Sequence, residues 1–107
     1  MSSTISSATQ EIGDLLILLD NAFWESNSIE HKDILYNIIT ILNAEVMELN
    51  KVSVQDGNYR YEPATETMRI LGPQLDWLLE NMKHVAIRTN TASPLGSQLR
   101  KVIEVLT

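Results

Sequence analysis

Residues 64–85 read ATETMRILGPQLDWLLENMKHV, and the fold turns on whether this stretch is one helix or several. Ala64, Met68, Leu71, Leu75, Leu78, Met82 and Val85 recur at alternating spacings of four and three. Such a seam marks one face of a helix. It runs straight through Gly72–Pro73, and a segment that broke there would have no reason to keep the phase. The spacing therefore predicts a single helix over about 63–88. Pro63 suits its first turn, and a kink falls near Pro73, where a backbone hydrogen bond is lost. Two helices joined at a Gly-Pro corner are the alternative.

The same periodicity extends in both directions. Ser7 and Gln10 match a capping box, followed by Ile12, Leu15, Leu16, Leu19, Ala22 and Phe23 on one face. This predicts a helix over about 7–25, with residues 1–6 frayed. Asn27, with Glu30 three residues on, is a start signal for a helix over about 28–50. Its stripe is Leu35, Ile38, Ile39, Leu42, Val46 and Leu49. Ser93–Pro94 reads as an N-cap and first-position proline opening a helix over about 93–106, with Leu95, Leu99, Val102 and Leu106 inward. The expected fold class is mainly α, an up-down bundle of about four helices forming a single domain over 1–107.

Residues 51–62 break the helical pattern. Asp56–Gly57 is a pair suited to a type I′ turn. Built on it, a small β-hairpin sets Val54 opposite Tyr59 and Val52 opposite Tyr61. All four then share one face, with Ser53, Gln55, Asn58 and Arg60 on the other. Such a ribbon is marginal alone and needs helices, or a second copy of itself, beneath it.

Net charge is −6 over 107 residues, unevenly spread. Residues 1–50 hold eight acids against Lys32 alone, and residues 51–107 hold six acids and seven bases. Binding to nucleic acid is disfavoured, since phosphate neutralisation needs clustered Lys and Arg. There is no cysteine, so neither disulfide nor thiolate chemistry is expected. No signal peptide and no membrane span are expected, because the longest apolar run is Leu15–Leu19 against the roughly 20 residues a span needs. A cytoplasmic protein is the expectation.

Two helices carry a second apolar stripe that a monomer core would not use. Ile17 and Trp24 stand seven apart on the first. Ile70, Trp77 and His84 repeat at seven on the third. Burying one Trp removes roughly 150–250 Å² from water, worth about 4–6 kcal/mol gross. A neighbour is expected to cover these residues, and the commonest neighbour for a small chain is a second copy about a two-fold axis. Ile17, Trp24, Ile70, Trp77 and His84 are thus the expected contact surface, with Tyr59 and Tyr61 a second candidate.

The chemistry-bearing residues are sparse. Glu45 lies within the apolar arc of its helix, three residues before Glu48. Carboxylates facing a bundle interior hold divalent metal in di-iron proteins and in all-α nucleotide pyrophosphohydrolases of the MazG kind. With Glu80 and His84 they make a candidate metal set. The chain lacks the Glu-x-x-His pairs of the di-iron class, and "AEVMEL" (44–49) is less acidic than the MazG-like pattern, with Met47 where a polar residue belongs. Lys83, Arg88, Arg100 and Lys101, with His84, form a stretch free of acids over 81–103, and together with the helix start at Ser93 they make a candidate anion site. Neither His31 nor His84 is followed by the Lys-Gly of a phosphotransfer bundle. No cofactor motif is present. These features together point to a small regulatory or adaptor protein, non-catalytic, homodimeric and acting through protein contacts with a further protein partner. A metal-dependent hydrolase is the rival.

Overall fold

Thr4 opens the first helix. Its Oγ1 accepts the Ser7 N–H at 3.1 Å, and α1 runs Ile5–Glu25 in the computed structural model, which describes residues 3–52, 54–86 and 89–106. The cap lies one turn before the expected Ser7 because Thr4 satisfies an orphan amide there equally well. Residues 3–6 are therefore not frayed. Likewise Ser28, not Asn27, caps α2 (Ile29–Leu49), accepting the His31 N–H at 3.2 Å. Glu30 in the first turn suits the positive end of the helix dipole. The short link 26–28 makes α1 and α2 antiparallel neighbours.

The hairpin does not form. Residues Val54–Asn58 are a 3-10 helix, and no β-strand occurs among the described residues. The backbone groups expected to pair within the ribbon are used elsewhere. Tyr61 N–H donates to Ser3 O at 2.7 Å and Ile5 N–H to Tyr59 O at 2.9 Å, around one antiparallel bridge between Thr4 and Arg60. The second "strand" thus pairs with the lead-in to α1. A two-stranded ribbon is weak by itself, and this pairing fixes a helix start as well. The expected shared face is lost too, since Tyr61 is buried while Tyr59 is exposed. Ser53, expected opposite Arg60, lies outside the described residues. Gly57 has no positive φ, so it is not a turn glycine. It is a close-approach glycine, because a Cβ there would collide with Ser6 Oγ on α1.

The seam of residues 64–85 is interrupted twice. It forms α3 (Glu66–Arg69), α4 (Gly72–Glu80) and α5 (Met82–Val85). A continuous helix would need the Pro73 nitrogen to donate to Arg69 O, and the proline ring would press on that same carbonyl. Arg69 is where α3 ends, and Pro73 sits in the first turn of α4. Phase survives because tighter bonds bridge the gap: Leu71 N–H to Met68 O at 3.3 Å and Gln74 N–H to Leu71 O at 3.0 Å. Met68, Leu71, Leu75 and Leu78 are all fully buried. At the second break the Asn81 side chain donates to Trp77 O at 2.8 Å, competing with the helix ladder. Pro63 does not start a helix; Thr65 does, accepting the Met68 N–H.

The last helix, α6, spans Thr89–Leu106 with Pro94 inside it, four residues earlier than the Ser93 start. Pro94 has no N–H to donate to Asn90 O, and Asn90 is exposed, where a lost helix bond is least costly. α1 packs mainly on α2 and α6, and α4 packs on α6. Asn37 Nδ2 donates to Gln74 Oε1 at 3.0 Å, joining α2 to α4. The ring of contacts closes as an up-down bundle with α1 and α4 at opposite corners. Gln98 Nε2 ties α6 to α1, donating to Glu11 O at 2.9 Å and to Glu11 Oε2 at 2.8 Å.

Candidate functional site

Glu45 is the most constrained polar group. α2 places it toward the core, where it is fully buried. Its Oε2 accepts from Tyr61 Oη at 2.6 Å and from Ala64 N–H at 2.8 Å. Its Oε1 accepts from Thr65 N–H at 3.0 Å and Thr65 Oγ1 at 2.9 Å. Four donors on two oxygens is the environment of an acceptor-only carboxylate, and it offsets burial without any cation. Burial, then the hydrogen bond to Glu45 and its charge, push the Tyr61 phenol well above its ordinary value. Tyr61 therefore stays a donor across neutral pH. This carboxylate holds the 59–65 crossover against α2 and starts α3.

The four residues of the candidate metal set are not brought together. The Glu45 oxygens are taken by protein donors. Glu48 is on the surface, accepting from Lys51 at 3.0 Å. Glu80 and His84 line a groove beside α6. Among the described residues no group of three His, Asp or Glu side chains stands close enough to share a metal.

The expected contact residues divide. Trp24 is 71% exposed and Ile17 64%, both pointing away from the buried face of α1. Trp77 is 37% exposed and stands with the exposed Ile70 on the α3–α4 side, at the opposite corner. A single flat contact does not cover both indoles. Of the second pair, Tyr59 is exposed and Tyr61 is buried against Glu45. Trp24 is held in place: its ring meets Phe23 edge-on at 5.3 Å, and Lys32 Nζ sits 5.3 Å from the Phe23 centroid and 6.0 Å from that of Trp24. Such contacts on an exposed ring are worth about 0.5–1 kcal/mol.

Sequence reasoning passed over the outer face of α2. Ile29, Tyr36 and Met47 are all exposed, and their spacings of seven and eleven place them on one helical stripe. That signal was readable. Because α1 and α2 are antiparallel, Trp24 comes to the Ile29 end and Ile17 lies level with Tyr36. Among the described residues, five of the eight large exposed apolar side chains thus lie on one helical hairpin.

Of the candidate anion residues, Lys83 and Ser93 line the same groove as His84, and Arg88 lies outside the described residues. Arg100, expected from the acid-free basic stretch, is also at that groove, whereas Ser97 was missed because the register of α6 against α5 is not visible in sequence. No helix among the described residues is long and apolar enough to cross a membrane. The fold and its polar centre define a small all-α bundle latched by a buried carboxylate. No protein-family model, curated protein or solved structure matches this chain.

Proposed function

We propose that this chain is a small, non-catalytic adaptor of the cytoplasm that acts through protein contacts and works as a homodimer. The observation that carries the reading is Trp24, an indole largely open to solvent yet fixed by Phe23 and Lys32. A large, oriented aromatic on a surface is the usual anchor of a contact. With Ile29 beside it and Ile17 and Tyr36 about two turns along the hairpin, the indole offers on the order of 500 Å² of exposed side-chain surface, while Met47 lies at the far end of α2. A standard interface takes about 800 Å² from each partner, so the hairpin supplies the apolar centre and leaves a polar rim.

That rim is acidic. Asp14, Asp20, Glu30 and Asp33 are exposed on the same two helices. A two-fold contact brings like charges together, whereas a basic partner would neutralise them. The two occupants respond oppositely to salt. In the proposed homodimer, Trp24→Ser with Ile17→Ser halves the mass measured by light scattering and leaves the helical circular dichroism unchanged. A chain already monomeric at high protomer concentration, or a double variant of unchanged mass, refutes the proposed interface.

A further inference from the structure

The flank of α6 facing α4 and α5 is made of small residues. Ala92 and Gly96 stand where larger side chains would fill the gap, and they leave an open groove of about 830 Å³. Its apolar lining comes from Leu79 and Met82. Its lining includes Lys83 and His84 from α5 and Arg100 and Ser97 from α6. Arg100 Nη1 lies 3.8 Å from where a Gly96 Cβ would stand, so the guanidinium folds back along the helix over the glycine.

None of these three basic side chains hydrogen-bonds or ion-pairs with a described residue. Glu80 lines the groove as well but forms no ion pair with them. A chain of net charge −6 therefore places two unpaired cations, Lys83 and Arg100, against the single carboxylate of Glu80 at this groove, where low-dielectric walls focus the excess positive potential. Arg in such a place matches the forked geometry of a carboxylate or phosphate. No aromatic ring of a described residue lines the groove, so a flat heterocycle finds none of these to stack on, while an aliphatic body finds Leu79 and Met82.

We propose that this groove binds a small amphipathic oxyanion, its carboxylate or phosphate head held by Arg100, Lys83 and Ser97 and its aliphatic body laid on Leu79 and Met82. The site is separate from the α1–α2 face and does not depend on it. The test is a titration of isotope-labelled protein, followed through the amides of Gly96 and Ser97, with hexyl phosphate, hexanoate, inorganic phosphate and hexanol. Hexyl phosphate or hexanoate should give saturable shifts there, and whichever binds tighter identifies the head. Inorganic phosphate should bind about tenfold or more weakly, and hexanol should not saturate. Arg100→Ala with Lys83→Ala should weaken hexyl phosphate and hexanoate about tenfold or more at an unchanged melting temperature, while Arg100→Lys keeps part of the affinity. Absence of saturable shifts with either anionic probe overturns the proposal. So does equal affinity in the double variant, or hexanol binding as tightly as the anions.

Discussion

Glu45 shows how a residue that reads as a ligand becomes a fastener. From sequence its inward carboxylate asked for a cation; the crossover answers with four protein donors. Glu45→Gln turns one acceptor into a donor that faces donors already in place, and about 2 kcal/mol of stability should go with it. Tyr61→Phe removes one of the four bonds and should cost about 1.5 kcal/mol. Urea titration reads both, and a loss below about 0.5 kcal/mol in either would mean the latch is dispensable. The raised phenol of Tyr61 adds a pH signature. Below about pH 10 the phenol is protonated in both states and adds no slope. Above it the unfolded chain releases the proton and the folded chain keeps it. Stability therefore falls with rising pH, by up to about 1.4 kcal/mol per unit from this group. The Tyr61→Phe chain should lack that increment, and parallel alkaline curves for the two chains would contradict the buried pairing.

At the scale of elements, the legible and illegible parts separate cleanly. Apolar phase was legible: the buried residues of α1, α2 and α6 fall on the stripes their spacing marks, and Met68, Leu71, Leu75 and Leu78 face inward as the seam requires. Continuity was not, because phase is conserved equally by an unbroken helix and by two short ones bridged with i to i+3 bonds. Pro73 carries that difference. With Pro73→Ala the chain can run helical past Arg69 without moving a core leucine. The new amide at 73 should then be protected from hydrogen exchange, with stability shifted by less than about 1 kcal/mol. A freely exchanging amide there would assign the break to Gly72. Residues 51–62 were misread for another reason. Alternation and an Asp-Gly pair specify extended chain and a turn but not the partner, and residues 3–5 lie too far away in sequence to be seen. Gly57→Ala tests the contact that replaced the turn. Alone it should fail to give the usual gain of about 0.4–1 kcal/mol for removing a glycine, because the new methyl meets Ser6. Paired with Ser6→Ala it should recover that gain, and full gain in the single variant would mean Ser6 simply swings aside.

For the whole molecule, sequence located both tryptophans outside the core stripes but could not say that they stand at opposite corners. That needs the order of packing around the ring, which no stripe reports. The consequence is that Trp24 and Trp77 have different fates: the first is open and oriented, the second mostly covered by its own chain. The proposed dimer should tighten as sodium chloride rises from about 0.01 M to about 1 M, since screening relieves the repulsion between acidic rims. Sedimentation across that range checks it, and weakening with salt would point instead to a basic partner for the same face.

The position of α1 has a bearing on biosynthesis. It is the first of these helices to be translated, and half of its partnership is with α6, the last. Until α6 emerges from the ribosome, Ile12, Leu15 and Leu19 have a lid on one flank alone, and the Glu11 carbonyl waits for Gln98. A nascent chain arrested before residue 89 thus presents an unfinished groove down its first helix, which is the kind of surface that chaperones patrol.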